Sequence, residues 1–332
     1  MDLFIYIIMK KFITRRKIFI AIAVLLLLLL SGCGQGDKIS SKGQDGYTTV
    51  DELGRTLHFK KVPTRIVSLS YTTDEIITAL VPREHILTYS RWSGDPDISF
   101  LSKEKVTKVG QKPLDSQESI FSLRPDLVIV TNSSHMDLVS GMENMGVKVY
   151  VASSPRTFEE TKTKVLKLAH ALGQETKGKK IVKNMDERLN KLKERLQKIK
   201  DGKKKICVAF SFSGAMGRRG GLLDDIMQQA GLINGAALVD NGPTGSTIMS
   251  KEQIVRIDPD VFLIPTWQPN DKVDARAFRE ELKNDPAFQN LKAVKNDAIY
   301  YTNDKYRYVG SQYVIDAIEA HAKIVYPEIF QK

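Results

Sequence analysis

The sequence is poor in cysteine and contains only one long apolar run. Two cysteines among 332 residues exclude a disulfide scaffold, a cysteine-rich zinc site and a cysteine-ligated iron–sulfur cluster. The single apolar run excludes a protein with several membrane-spanning segments. Charged residues make up 27% of the chain and hydrophobic residues 42%, which is typical of a folded protein. At this length we expect about two domains.

The apolar run, residues 18–30, follows a basic segment near the N-terminus. Its 13 residues are fewer than the roughly 20 that a membrane span requires. A basic segment followed by a short apolar run is typical of a secretion signal. We therefore predict that residues 1–32 are a signal peptide and that the protein is exported.

The apolar run ends in Leu30-Ser31-Gly32-Cys33, which resembles the bacterial lipobox. The resemblance implies that cleavage exposes Cys33 and that this cysteine receives lipid, anchoring the protein to the outer face of the cell membrane. Residues 33–46 are polar and rich in glycine and serine, which predicts a flexible tether. The alternative is an ordinary secretion signal with an incidental cysteine.

The formal charge of the whole chain is +11. Removal of residues 1–32 takes away five basic residues and one acidic residue, leaving 45 minus 38, or +7. This mild charge on an exported protein does not indicate nucleic-acid binding. It favours a solvated surface, with room for a basic pocket that accepts an anionic ligand.

The sequence contains an internal repeat. Residues 116–130 and 250–264 share serine, glutamate, isoleucine, proline and aspartate in strict register, 134 residues apart. Each copy predicts a capped short helix, a Pro-Asp turn and a buried strand. The predicted strands are 65–69, 86–89, 127–130 and 147–151 in the first half, and 205–210, 261–264 and 298–301 in the second. Because helices alternate with these strands, we expect two related α/β lobes with largely parallel sheets.

A helical segment separates the two halves. Its apolar residues lie on one face of a helix, with Lys and Glu on the other; they are Ile181, Met185, Leu189, Leu192, Leu196 and Ile199. We predict an N-terminal lobe over 47–176, a connecting helix over 177–200 and a C-terminal lobe over 201–332. A coiled-coil partner is the alternative, but the segment is shorter than four heptads.

These features, together with residues 50–57 and 62–70, resemble the bacterial ABC-transporter solute-binding proteins for iron–siderophore complexes, haem and cobalamin. The resemblance implies two Rossmann-like lobes joined by one long α-helix, with the ligand in the cleft between them. It also implies a monomer that works with an ABC permease and ATPase. No cofactor is expected, because the metal chelate is cargo.

Glu118 and Glu252 occupy equivalent positions of the repeat. The resemblance implies that each carboxylate meets basic residues on the permease. The alternative is a capping box with the preceding serine, but the spacing is Ser-x-Glu and the box needs Ser-x-x-Glu.

Ligands of open α/β sheets bind beyond the carboxyl ends of the strands. The aromatic, basic and thioether side chains predicted at these ends are therefore the candidate ligand-binding residues. They are Tyr71, Tyr89, Arg91, Trp92, Lys112, Phe212, Met216, Arg218, Arg219, Trp267, Tyr306, Arg307 and Tyr308. Aromatic rings suit a flat or bulky ligand, and guanidinium groups suit its carboxylates.

We rank an iron complex, either a ferric siderophore or haem, before cobalamin. Tyr71, Met216 or His135 could supply an axial ligand to haem iron. Tyr89 falls where cobalamin receptors resembling this chain place a stacking tyrosine. The scattered histidines do not indicate a site for bare zinc or manganese.

An enzyme is the main alternative class. The sequence contains no Gly-x-Ser-x-Gly elbow, no P-loop and no His-Glu-x-x-His motif. We therefore expect a binding protein without catalytic residues, and a two-lobed α/β enzyme remains the less favoured alternative.

Overall fold

The computed structural model describes residues 46–112, 114, 116–133, 136–199, 203–239, 248–269 and 274–331. The predicted signal peptide, Cys33, nearly all of the predicted tether and His135 lie outside the described residues. Over the ranges just given, no helix is long and apolar enough to cross a membrane.

The first lobe is built around a four-stranded parallel sheet with the strand order β4-β3-β5-β6. Its elements are β1 (Tyr47–Val50), β2 (Thr56–Phe59), β3 (Ile66–Ser68), α1 (Tyr71–Leu80), a 3₁₀ turn (Arg83–His85), β4 (Ile86–Thr88), α2 (Lys103–Val109), α3 (Gln117–Ser122), β5 (Leu127–Thr131), α4 (Met136–Asn144), β6 (Val149–Ala152) and α5 (Phe158–Ala171). Every residue of β3 and β6 is buried, as expected for a parallel sheet that is covered on both faces. Strands β1 and β2 form a separate antiparallel pair.

A 22-residue helix, α6 (Glu175–Leu196), follows the first lobe. Its Met185, Leu189 and Leu192 are buried in the core of the second lobe, while Ile181 and Val182 pack against the cores of both lobes. The observed helix begins two residues before the predicted span of 177–200 and ends at Leu196, before that span does. The amides of residues 198 and 199 bond to carbonyls three residues back, which tightens the chain and ends the regular helix at Leu196.

The second lobe contains a five-stranded sheet in which β10, β11 and β9 run parallel to their neighbours and β8 runs antiparallel to β7. Its elements are β7 (Ile206–Ser211), β8 (Gly214–Met216), α7 (Leu222–Gln229), β9 (Ile233–Asn234), a 3₁₀ turn (Gly235–Ala237), α8 (Lys251–Ile257), β10 (Val261–Pro265), α9 (Ala275–Asn284), α10 (Lys292–Lys295), β11 (Ile299–Thr302), a 3₁₀ turn (Asp304–Tyr306), α11 (Val314–Val325) and a final 3₁₀ turn (Pro327–Phe330).

The sequence repeat is also a repeat of topology. The parallel order β4-β3-β5-β6 of the first lobe matches β9-β7-β10-β11 in the second. The repeated segment forms α3 and β5 in one lobe and α8 and β10 in the other. Strands β5 and β10 occupy the same position in their sheets. The prediction of an α/β fold with two related, largely parallel lobes is confirmed.

A buried polar cluster joins the lobes, and we call Glu75, Lys164 and residues 310–312 the interlobe seam. The Glu75 carboxylate, on α1, accepts hydrogen bonds from the Ser311 hydroxyl (2.5 Å) and the Phe100 amide (2.8 Å). Its backbone carbonyl accepts one from the Gln312 side-chain amide (2.9 Å). Only 1% of Glu75 is exposed, and this burial raises the pKa of the carboxyl to about 7.

Lys164, on α5, reaches the same segment. Its ammonium donates to the Gly310 carbonyl (2.8 Å) and to the Thr72 hydroxyl (3.3 Å). Burial lowers the pKa of Lys164 to about 8, while the negative charge of Glu75 acts in the opposite direction. Beside this contact, the ring of Phe100 stacks on Tyr313 with centroids 4.6 Å apart. Polar and aromatic contacts thus hold α1 and α5 against the start of α11.

The Glu75 carboxyl predicts a pH-dependent contribution to stability. Its pKa rises from 4.5 to about 7 on folding, so the folded state binds more protons in this window and the free energy of unfolding falls as pH increases. Glu75→Gln preserves the shape and removes the titration. We expect the free energy of unfolding, measured with urea, to fall between pH 5 and pH 8 by about 1–3 kcal/mol more in the wild type than in the variant.

The matched control for this experiment is Glu118→Gln, which changes an exposed glutamate. The control should follow the wild-type stability over this pH range. A stability difference between E75Q and the wild type that stays constant from pH 5 to pH 8 would contradict the assignment.

Candidate functional site

A cavity of about 350 Å³ lies where β7, β10 and β11 end. Its lining includes five residues predicted from the sequence: Phe212, Met216, Trp267, Arg307 and Tyr308. Four of these side chains come from segments that follow β7, β10 and β11, which meet because parallel strands bring their carboxyl ends to one edge of the sheet. Met216 comes from the antiparallel strand β8. The cavity therefore combines aromatic rings, a thioether and a guanidinium group.

The first lobe approaches this cavity through Trp92. Its indole meets that of Trp267 edge to face, with ring centroids 5.2 Å apart and planes at 89°. The Arg91 guanidinium carbon lies 4.5 Å from the centroid of the Trp92 ring, within the range of a cation–π interaction. The chain has only two tryptophans, and the structure brings both together across the lobes.

Asp304 fixes the second-lobe side of the cleft. Its carboxylate accepts hydrogen bonds from the amides of Thr266 (2.9 Å) and Trp267 (3.0 Å), and it lies 3.6 Å from the Arg307 guanidinium. Burial raises the pKa of Asp304, and the positive charge of Arg307 opposes this shift. We did not predict Asp304 from the sequence, although an aspartate directly after a strand and before an arginine is a pattern that could have indicated it.

Arg307 lines the cavity but is only 6% exposed. One of its terminal nitrogens lies 3.6 Å from Asp304 and 3.3 Å from the Met216 sulfur. The guanidinium is therefore held in place before any ligand enters, which lowers the entropy that an anionic ligand must overcome.

Tyr71 spans the lobes through its hydroxyl, which donates to the Tyr308 carbonyl at 2.9 Å. Burial raises the pKa of the Tyr71 phenol, and the negative charge of Glu75 adds to this effect. Tyr71 lies at the N-terminus of α1, four residues before Glu75, so the same helix contributes to the cleft and to the interlobe seam.

Two of the predicted cleft residues lie elsewhere. Tyr89 is 2% exposed and belongs to the first-lobe core, where its hydroxyl lies 3.1 Å from the Thr78 hydroxyl. Its ring points inward, so the stacking role implied by the likeness to cobalamin receptors is not available. Tyr306 packs against Phe100 and lines a separate cavity between α6 and α11. For both tyrosines the prediction of a cleft position is wrong.

Three basic residues predicted for the cleft are exposed and do not line the cavity. The Arg219 guanidinium donates to the Ala237 carbonyl at 2.6 Å, which directs it along the surface of its own lobe. Arg218 is exposed one residue earlier, and the backbone amide of Lys112 donates to the Thr88 hydroxyl at 2.8 Å. In the described part of the chain, no group of three or more His, Cys, Asp or Glu side chains could hold a metal ion.

Glu118 and Glu252 are both exposed at the second position of their helices, α3 and α8. The capping boxes of these helices are completed by Ser119 and Gln253, so neither glutamate fills that role. Hydrogen bonds from its own backbone amide and from Ser116 lower the pKa of Glu118. For Glu252 the Ser250 hydroxyl and the backbone amide do the same. Helices α3 and α8 therefore each present one carboxylate that is ionised at neutral pH.

Loss of the Asp304 carboxylate should loosen Trp267 and leave Arg307 as a buried charge without its partner. We expect Asp304→Ala to lower the free energy of unfolding by about 2–4 kcal/mol and to weaken the near-ultraviolet circular dichroism of the tryptophans. The control, Glu281→Ala, removes an exposed carboxylate on α9 and should leave both measurements nearly unchanged. An unchanged tryptophan signal in D304A would contradict the positioning role.

Comparisons with known proteins agree with this architecture. The uncharacterized ABC transporter substrate-binding lipoprotein YvrC of Bacillus subtilis is 26% identical over 329 residues, covering 94% of this chain and 98% of its own. The Fe(3+)-citrate-binding protein YfmC of the same bacterium is also 26% identical, covering 95% and 98%. The solved structure of the periplasmic haem-binding protein RhuT from Roseiflexus superposes with a TM-score of 0.65 at 21% identity, covering 80% of this chain and 98% of its own.

The sequence pattern of the periplasmic binding protein family matches residues 66–306. This range includes both sheets, helix α6 and most of the cleft residues, and it is more than two thirds of the chain. The chain belongs to the periplasmic binding protein family.

Proposed function

We propose that this chain is the extracytoplasmic substrate-binding protein of an ABC importer, and that it captures an iron complex and delivers it unchanged to the permease. The observation that carries the proposal is the cleft, where Trp92 and Trp267 meet from the two lobes beside the preorganised Arg307. Three further findings support the proposal. The chain belongs to the periplasmic binding protein family, it is similar in sequence to a ferric-citrate-binding protein, and it shares the fold of a haem-binding protein.

The chemistry of the cleft suits a bulky chelate that carries negative charge. Indole faces bind flat or apolar surfaces at a small cost in side-chain entropy, because each has only two rotatable bonds. Arg307 and Arg91 offer forked donors to the carboxylates of citrate, of a siderophore or of haem propionates. Entry of such a ligand requires the two indoles to separate, so ligand contacts replace the contact between them.

The cellular arrangement follows from the N-terminal sequence. Residues 1–32 serve as the signal peptide, and lipid on Cys33 holds the mature protein at the outer face of the membrane. Residues 33–46 act as the tether. Two or three acyl chains, each methylene contributing about 0.8 kcal/mol of burial, make such an anchor durable. The protein acts as a monomer and presents its ligand to the permease, which an ATPase drives.

Docking uses one carboxylate from each lobe. Glu118 and Glu252 are exposed, ionised at neutral pH and placed at equivalent positions of the repeat. Basic residues of the permease would pair with both carboxylates at once, which fixes the orientation of the bound protein and speeds its encounter with the membrane complex.

Tryptophan fluorescence tests the ligand. Because both tryptophans lie at the cleft, a ligand that enters it should quench most of the emission. We expect quenching by one member of a panel of ferric citrate, a ferric hydroxamate siderophore and haem, and none by iron-free citrate. A response to cyanocobalamin alone would favour the corrinoid alternative, and silence toward the whole panel would contradict the proposal.

Uptake of radioactive iron tests the docking carboxylates. We expect Glu118→Ala with Glu252→Ala to abolish uptake in cells that lack their own copy of the protein, while ligand-induced quenching remains as in the wild type. Glu280→Ala, which removes an exposed glutamate on α9, is the matched control and should support normal uptake. Loss of ligand binding in the double variant would refute a role confined to docking.

A further inference from the structure

Helices α3 and α8, which carry the proposed docking residues Glu118 and Glu252, each have an exposed apolar residue one turn after the glutamate. Phe121 follows Glu118 on α3 and is 44% exposed, and Val255 follows Glu252 on α8 and is 42% exposed. Residues three apart on a helix are neighbours on its surface. In both lobes, therefore, a carboxylate and an apolar side chain form one small patch.

The pairing is not a by-product of packing. The core contact of each helix is made by the preceding isoleucine, Ile120 or Ile254, at 0% and 2% exposure. The described part of the chain has ten exposed large apolar side chains. Of these, Phe121 and Val255 lie at equivalent positions of the repeat. A single exposed apolar side chain is ordinary on a protein surface, and what sets this pair apart is its recurrence beside an equivalent carboxylate in both lobes.

We propose that Phe121 and Val255 are contact residues for the permease, so that each lobe docks through a carboxylate and an adjacent apolar anchor. This inference rests on the docking role of Glu118 and Glu252 in the proposed function. The partner surface is the outer face of the permease. For each lobe it would offer a basic side chain beside an apolar depression.

The two components have different physical roles. An exposed carboxylate steers encounter and sets the register, but an ion pair at a wet surface adds little affinity. Burial of a half-exposed phenylalanine or valine supplies affinity, because it removes apolar area from water and excludes water from the neighbouring ion pair. A patch of this kind would stay assembled at ionic strengths that screen the carboxylates alone.

The test measures uptake of radioactive iron, supplied as ferric citrate, a ferric hydroxamate siderophore or haem, by cells whose only copy is the full-length chain. We expect Phe121→Ser with Val255→Ser to reduce the uptake rate roughly tenfold at limiting expression. Ligand-induced tryptophan quenching by the purified variant should be unchanged. Leu166→Ser, at a 38%-exposed apolar position on α5, is the matched control and should support wild-type uptake.

Urea unfolding shows whether the serine variants are folded, and the milder pair Phe121→Gln and Val255→Thr replaces them if they are not. Wild-type uptake by the apolar variants, with uptake abolished in E118A/E252A, would overturn this inference and leave the proposed function intact. Normal uptake by E118A/E252A would overturn the docking role and this inference with it. If the wild-type chain supports uptake of none of the three iron sources, the proposed cargo itself is wrong.

Discussion

The arrangement of the two lobes depends on a buried carboxyl and a buried ammonium at their junction. Glu75 and Lys164 reach from α1 and α5 to the segment 310–312 of the second lobe, and their hydrogen bonds go to groups that would otherwise be buried without partners. Opening the lobes would break these bonds, and each polar group that stayed buried without a partner would cost about 1–3 kcal/mol. The seam therefore resists separation of the lobes.

Helix α6 adds to this restraint because it packs against both cores at once. A flexible hinge would let the cleft open widely, whereas a continuous helix and a satisfied polar seam permit smaller changes. Ligand entry then depends on movement of side chains at the cleft, chiefly the two indoles in edge-to-face contact. The same stiffness keeps the two docking helices at a defined separation, which a partner with two binding positions can recognise.

Much of this could be predicted from the sequence because it rests on local patterns. The sequence repeat predicted two related lobes, and the spacing of apolar residues predicted the long helix. Because ligands bind beyond strand ends, Trp92 and Trp267 were both predicted to lie at the cleft. Tyr89 could not be placed, because it follows β4 directly and the sequence does not show whether a side chain at a strand end turns toward the cleft or toward the core. Glu75 and Lys164 were missed because their partners lie far away in the chain, and a single sequence carries no signal for such pairing.

The interlobe seam holds the two lobes at a fixed separation. Electron–electron double resonance between spin labels on Ser122→Cys and Arg256→Cys, at the ends of α3 and α8, measures this separation directly. Cys33→Ser removes the lipid-bearing cysteine from the labelled chain, and Cys207 is buried. We predict one narrow distance distribution that moves by no more than a few ångströms when an iron complex binds. A broad or two-peaked distribution that collapses on binding would contradict it.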